Sequence, residues 1–125
     1  MGPAIPLVLV ASFSAHDRQS LELTLKHLCW SLCAVNGTED AARARADHDG
    51  TSLLVIDSGL LESAHDGQWR VFRARHPRLP TLVRCLLPRG EIRGVNDTTL
   101  HVRPDDPDGT LQALRLLAAP ARASA

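Results

Sequence analysis

The sequence predicts an α/β fold in which a doubly wound, five-stranded parallel sheet lies between two layers of helices. The first observation behind this prediction is that apolar runs of strand length alternate along the chain with amphipathic segments of helix length. The second is size, because 125 residues, of which 44% are apolar and 22% charged, suit one globular domain with its own core. Strands that alternate with helices are joined by right-handed crossovers, which make neighbouring strands parallel.

Five strands are predicted, and the expected order of neighbours in the sheet is 2-1-3-4-5. The strands lie near residues 6–11, 31–35, 52–57, 80–86 and 99–103. The first and third, "IPLVLVAS" and "SLLVID", are continuous apolar runs, which suit strands covered by helices on both faces of a sheet.

The helices are predicted from apolar spacing and from capping residues. Ser14 is expected to cap the first helix and Thr38 to cap the second, "EDAARARA". A third helix within 66–80 is expected to stop at His76 and Pro77. The apolar stripe of the first helix recurs at helical spacing and consists of Leu21, Leu25, Leu28 and Cys29.

The C-terminal third of the chain sets the predicted domain boundary. The last helix is expected over 108–119 and is expected to end at Pro120. Residues 1–119 therefore form the predicted domain, and 120–125 a flexible tail or the start of a linker. The segment 87–98 contains one proline and two glycines and is predicted to be mostly loop, which leaves a fourth helix of the alternating series short or missing.

Charge balance and the length of the apolar runs argue against several classes of function. Lys+Arg and Asp+Glu number 14 each, so the net charge predicts no direct binding to nucleic acid or to an anionic membrane surface. The apolar runs are shorter than the ~18 residues that cross a bilayer, and the N-terminus lacks the basic region of a secretory signal. We therefore expect a cytoplasmic location and no membrane association.

Cysteine and histidine placement predicts no metal site. The chain has an odd number of cysteines, and none of them form a CxxC motif. We interpret Cys29, Cys33 and Cys85 as buried free thiols in a reducing cytoplasm. The histidines are scattered over different elements and are expected on the solvated surface. They are His16, His27, His48, His65, His76 and His101. The common signatures of α/β enzymes, GxGxxG, GxxxxGK[ST] and GxSxG, do not occur.

Four stretches, taken in their order along the chain, resemble the receiver domains of bacterial two-component response regulators. "WSLCAVNGTEDA" resembles the second strand and its following turn and helix, and "DGQWRVFRARHPRLPTLV" the third helix, its proline-containing turn and the fourth strand. "SLLVID" resembles the third strand, and "LHVRPDD" the fifth strand with its Lys-Pro ending. The resemblance covers about 5–118 and implies a flavodoxin-like fold, with Asp57 as the equivalent of the aspartate that accepts a phosphoryl group.

The end of the first predicted strand departs from the receiver pattern. The family holds a divalent metal partly through an acidic pair there, but the corresponding residues of this chain are "ASFS", 11–14. The nearest carboxylate is Asp17, which lies in the first turn of the predicted helix, where capping explains it equally well. Because Mg²⁺ prefers carboxylate oxygens, a site with Asp57 as its only acidic ligand is expected to bind Mg²⁺ weakly or not at all.

Two further positions of the implied site differ from the family. Cys85 takes the place of the hydroxyl residue that bonds the phosphoryl group, and a thiol is a weak donor. Arg103 takes the place of the lysine, so a planar guanidinium group replaces a compact ammonium group. The aromatic residue that moves with the hydroxyl falls near Leu100, and the chain has no Tyr.

Two functions remain open on this reading. The first is a degenerate receiver-like module that regulates by binding a protein partner, a linked output domain or a second copy of itself, with Asp57 paired to Arg103 for structural reasons. The second is a receiver that is phosphorylated on Asp57 and then hydrolyses the phosphoryl group slowly. The first hypothesis requires no cofactor, and the second requires only the divalent metal that assists phosphorylation. Apart from phosphorylation and slow hydrolysis at Asp57, no enzyme activity is predicted.

Overall fold

The computed structural model describes residues 7–11, 15–35, 37–47, 52–59, 67–87, 91–96 and 98–123. Strands and helices alternate over most of this length, as the apolar pattern predicts. In chain order the elements are β1 (Leu7–Ala11), α1 (Ala15–Leu28), β2 (Ser31–Ala34), α2 (Thr38–Asp47), β3 (Ser52–Asp57), α3 (Gln68–Arg75), β4 (Thr81–Arg84), β5 (Arg93–Asn96), β6 (Thr99–Val102) and α4 (Pro107–Ala123). No helix in these ranges is both long and apolar enough to cross a membrane.

The strands form one sheet in the order β2-β1-β3-β4-β6-β5. The pairs from β2 through β1, β3 and β4 to β6 are all parallel. These five strands follow the predicted order 2-1-3-4-5, so the doubly wound parallel fold is confirmed. β3, with the continuous apolar run 53–56, lies at the centre of the sheet, where both faces of a strand are covered.

A sixth strand at the edge of the sheet was not predicted. β5 pairs with β6 in an antiparallel direction, and the register shifts between Gly94 and Asn96. The described part of the segment 87–98 therefore contains a four-residue strand that was not predicted, and it contains no helix. Glycine and asparagine disfavour a helix, but an edge strand needs hydrogen bonds on one side only and tolerates an irregular register.

The buried side chains form two clusters, one on each face of the sheet. The first cluster lies under α1 and α4 and includes Val8, Val10, Leu21, Leu25, Leu53, Val55, Leu82, Val102 and Leu114. The second lies under α2 and α3 and includes Leu9, Ala11, Ala41, Leu54, Ile56, Trp69, Phe72, Leu79 and Val83. Alternate residues of β1, β3 and β4 enter alternate clusters, which is the period-two pattern of a doubly covered sheet.

Two predicted helix boundaries are corrected by the structure. α2 begins at Thr38, but the carbonyl of Gly37 accepts the first helical bond, from the Ala41 N–H at 3.2 Å, so Gly37 holds the cap position. α4 does not end at Pro120 but continues to Ala123. Proline has a helical φ and removes only one backbone bond near a helix end, so a final turn can contain it. The predicted cap Ser14 lies outside the described residues.

Cys29 does not belong to the apolar stripe of α1. It follows the last helical residue with φ 59°, and its side chain is exposed. Its N–H donates to the Lys26 carbonyl at 3.1 Å, and the Trp30 N–H donates to the Leu25 carbonyl at 3.0 Å. This pair of bonds is a Schellman motif, in which the left-handed residue ends the helix. Cys29 is thus an exposed thiol and not the buried one expected from the sequence.

His76 ends α3 and packs against side chains of two helices. Its ring lies 4.6 Å from the ring of Phe72, and Nδ1 lies within hydrogen-bond distance of Arg45 Nη1 on α2. Burial lowers the pKa of His76, and the positive charges of Arg45 and Arg75 lower it further. The folded protein therefore favours the neutral imidazole, which can accept a bond from Arg45.

The lowered pKa predicts that acid destabilises the fold. The unfolded chain binds a proton at His76 more readily than the folded chain does, so the free energy of unfolding should fall as the pH drops below about 6.5. Urea denaturation at several pH values between 7.5 and 5 measures this slope. We expect His76→Gln to reduce the slope, whereas His27→Gln, at an exposed histidine of α1, should not. Equal slopes for the wild type and His76→Gln would contradict the prediction.

Candidate functional site

Asp57 is the last residue of β3 and lies, half-buried, at the carboxyl edge of the sheet. Its Cα partner on the neighbouring strand is Arg84, the last residue of β4. Successive side chains of a strand point to opposite faces, so Asp57 lies on the same face as Leu53 and Val55. This is the face that packs under α1 and α4. Arg84 has the parity of Leu82, which lies on that same face. The two charged residues are therefore opposite each other across adjacent strands.

Arg84 is a buried charge that the sequence analysis did not single out. Only 4% of its surface is exposed, and its Nη2 donates a hydrogen bond to the Pro104 carbonyl at 3.1 Å. A buried guanidinium is tolerated only where hydrogen bonds and an opposite charge offset its lost hydration. Asp57, the Cα partner of Arg84 on the adjacent strand, places a carboxylate on the same face of the sheet. The signal in the sequence was an arginine inside the apolar run "TLVRCLL".

A cavity of about 270 Å³ lies beside Arg84, between α1 and the turn that precedes α4. Its polar lining includes Ser20 and Thr24 of α1 and Thr110 of α4. Thr24 Oγ1 donates to the Ser20 carbonyl at 3.3 Å and Thr110 Oγ1 to the Asp106 carbonyl at 2.8 Å. Both threonine hydroxyls therefore use their proton within their own helix turn and face the cavity as acceptors.

Cys85 lies one residue beyond Arg84, and the structure places its thiol on the other side of the sheet. The Cys85 N–H continues the parallel ladder by donating to the Val102 carbonyl at 3.0 Å. Its Sγ lies 3.6 Å from Nδ1 of His101. On β6, His101 alternates with Leu100 and Val102, which pack in the first cluster, so its side chain belongs to the opposite face of the sheet. Cys85 and Asp57 share the sheet edge but face different helical layers. His101, expected on the solvated surface, is half-buried against this thiol.

Arg103 pairs with Asp105 and not with Asp57. Its Nε and Nη2 donate to the two carboxylate oxygens of Asp105 at 2.6 and 3.0 Å, and its Nη1 donates to the Leu87 carbonyl at 3.2 Å. The hydrogen bonds to Asp105 raise the pKa of Arg103, and the negative charges of Asp105 and Asp106 raise it further. The expected pairing with Asp57 is therefore wrong, because a carboxylate two residues away satisfies the guanidinium fork without crossing the sheet edge.

Asp106 organises the turn at the start of α4. Its Oδ1 accepts a hydrogen bond from the Gly109 N–H at 3.0 Å, and its carbonyl accepts one from the Thr110 N–H at 2.9 Å. Pro107 occupies the first helical position, where the missing N–H costs nothing. The capping aspartate and the Arg103–Asp105 pair fix the loop that bounds the site on its β6 side.

The first strand brings no carboxylate to this edge within the described residues. β1 ends at Ala11, which is buried and pairs with Ile56. The next three residues, including the predicted cap Ser14, lie outside the described ranges. Leu100, which the resemblance places near the moving aromatic residue of receiver domains, packs half-buried against the first cluster. Among the described side chains there is no group of three or more His, Cys, Asp and Glu residues arranged to hold a metal.

Comparison with known proteins supports the fold at low sequence identity. No family model matches the sequence, and no curated protein matches it significantly. A response regulator receiver domain protein from Clostridium thermocellum superposes with a TM-score of 0.67 at 10% identity, over 97% of this chain and 100% of that chain. The chain has a receiver-like fold. A fusion protein that carries a yeast Spc42 trimeric coiled-coil segment gives a TM-score of 0.68 at 15% identity, over 99% of this chain and 84% of that chain.

Proposed function

We propose that this domain is a regulatory module with a receiver-like fold, which acts by binding a protein partner or a linked output domain and is not phosphorylated in the usual Mg²⁺-dependent way. The observation that carries the proposal is Arg84. This buried arginine lies opposite Asp57 on the same face of the sheet, so a fixed positive charge already stands beside the carboxylate that a receiver would phosphorylate.

The residues that the structure describes around Asp57 do not fit a divalent cation. Mg²⁺ binds in proteins through one or two carboxylates and retains several waters, which needs an open and acidic surrounding. β1 contributes Ala11 to this edge, and no carboxylate occurs in the sequence from 11 to 14. A guanidinium one strand away repels a second cation at the same carboxylate. Asp57 is better explained as the counter-charge of Arg84 than as a metal ligand.

Without a metal, transfer of a phosphoryl group to Asp57 meets an electrostatic barrier. The donor and the carboxylate are both anions, and two unit charges about 4 Å apart repel by about 4 kcal/mol at an effective dielectric near 20. A barrier of this size slows the reaction roughly a thousandfold. Arg84 offsets part of the charge, but a buried side chain bonded to the Pro104 carbonyl cannot bridge the attacking and transferred oxygens as a metal does.

Intact-mass measurement after incubation with acetyl phosphate and Mg²⁺ tests the proposal. We expect no significant phosphoryl adduct on the wild-type domain, under conditions in which an active receiver domain run in parallel becomes phosphorylated. Asp57→Asn is the matched variant and should likewise show no phosphoryl adduct. A stoichiometric adduct that disappears in Asp57→Asn would overturn the proposal and favour the phosphoacceptor function instead.

A further inference from the structure

Cys85 and His101 form a thiol–imidazole pair on the α2–α3 side of the sheet, away from Asp57. The Sγ–Nδ1 distance is 3.6 Å, and both residues are half-buried, so part of each is exposed to solvent. A cysteine beside an imidazole is the arrangement that favours the thiolate, which is the nucleophilic form of the residue.

The pairing of β4 with β6 places Cys85 and His101 next to each other. β4 and β6 are adjacent parallel strands in which Val83 is the Cα partner of His101. The Cys85 N–H donates to the Val102 carbonyl at 3.0 Å, so the ladder continues one residue beyond the end of β4. Cys85 is thus two residues along the strand from Val83, on the same face, where a diagonal neighbour comes within reach.

The charged groups on the described elements around the pair are mainly positive. Arg93 of β5 is the Cα partner of His101 and is bonded to Glu91 at 2.8 Å. Arg103 follows β6 and is bonded to Asp105. On α3, Arg73 donates to Thr99 Oγ1, two residues before His101 on β6, and burial lowers the pKa of this arginine.

Among the described residues, Glu91 and Asp105 neutralise Arg93 and Arg103, so Arg73 supplies the net positive charge of this group. The parity of β3 places Asp57 on the opposite face of the sheet. A positive surrounding favours a negatively charged sulfur over a neutral thiol. The two other cysteines lack this setting. Cys29 lies in the exposed turn after α1, and Cys33 makes only a 3.9 Å contact with the Ala34 carbonyl.

We propose that Cys85 is a site of oxidative modification, at which the thiolate paired with His101 reacts with a hydroperoxide. The sulfur attacks one peroxide oxygen and the O–O bond breaks, so sulfur loses two electrons and the peroxide is reduced. The sulfur bonds the terminal, hydroxyl-bearing oxygen, and the leaving alkoxide (hydroxide in the case of hydrogen peroxide) takes a proton from the imidazolium of His101 and departs as the alcohol or as water. The product is a sulfenic acid on Cys85, which a thiol can convert to a disulfide and thereby reverse.

The three cysteines of the wild-type domain allow the test within one sample. Limiting iodoacetamide at pH 7, followed by peptide mass spectrometry, gives the alkylation rate of each thiol. An ordinary thiol is only a few per cent thiolate at this pH, so full ionisation raises the alkylation rate about thirtyfold. A thiolate of lower pKa is also a weaker nucleophile, which reduces this gain several-fold. We expect Cys85 to react about tenfold faster than Cys33. As the pH is lowered, the alkylation rate of Cys85 should begin to fall at a lower pH than that of Cys29. A Cys85 rate equal to or below that of Cys29 across pH 6–9 would overturn the proposal.

The role of His101 is tested by His101→Gln, checked for folding by circular dichroism. This variant should slow Cys85 alkylation to the rate of Cys33 and leave Cys29 unchanged. Dilute hydrogen peroxide with dimedone, which traps sulfenic acids, should label Cys85 selectively in the wild type. Equal labelling of the three cysteines, or a Cys85 rate that His101→Gln leaves unchanged, would count against the pair. The wild-type pH profile decides the question if the variant does not fold.

Discussion

Replacing Arg84 with methionine is expected to lower the free energy of unfolding by about 2–4 kcal/mol. Removing one member of a buried charge pair costs about 3–5 kcal/mol when the remaining charge is fully buried, and Asp57 is the counter-charge that we propose for Arg84. Asp57 is only half-buried and regains some hydration, so we place the cost below the top of that range. The variant also loses the hydrogen bond from Nη2 to the Pro104 carbonyl, whereas methionine keeps most of the apolar stem. Urea denaturation followed by circular dichroism measures the change.

A double-mutant cycle isolates the contribution of Asp57 to this cost. If Arg84 and Asp57 compensate each other, Asp57→Asn in the Arg84→Met background should be less destabilising than in the wild type, with a coupling of about 1–2 kcal/mol. Arg115→Met, at an exposed arginine of α4, is the control and should change stability by less than about 0.5 kcal/mol. A coupling near zero would show that the two residues act independently and would remove the main support for a structural role of Asp57.

The parallel sheet could be predicted because its strands are the most apolar segments of the chain. β1 and β3 are covered on both faces, so each reads as a continuous apolar run such as "LVLVA" or "SLLVID". β5 could not be predicted in this way. It contains Arg93, Gly94 and Asn96, and it forms because β6 offers an open edge for antiparallel pairing. Such an edge strand depends on a neighbour far along the chain and leaves little local pattern.

The candidate site was predicted in part. The position of Asp57 at the carboxyl edge follows from the end of an apolar run, and the structure confirms it. The partner of Asp57 depends on the register between β3 and β4, which a single sequence does not define. A shift of one residue would have placed Cys85, and not Arg84, opposite Asp57. Arg103 found a carboxylate two residues away, so its local contact prevailed over the pairing expected across the sheet.

Replacing Leu54 with alanine is expected to cost about 3–4 kcal/mol of stability. Leu54 lies at the middle of the central strand with no exposed surface, between Leu9 of β1 and Thr81 of β4. Its N–H donates to the Pro80 carbonyl at 2.8 Å, so the backbone is held and cannot collapse into the space left by the side chain. A cavity in a site that cannot relax carries both the lost transfer free energy and the cavity cost.

Leu23→Ala is the matched control, because Leu23 is an exposed leucine of α1 with 68% of its surface in solvent. Its stability should change by less than about 0.5 kcal/mol. A domain of this size has a total stability of about 5–15 kcal/mol, so Leu54→Ala should stay folded in water but unfold at a lower urea concentration with the same slope. Similar midpoints for the two variants would mean that β3 is not the buried centre of the sheet. Because Asp57 ends the same strand, that outcome would also remove the basis for placing it at the carboxyl edge beside Arg84.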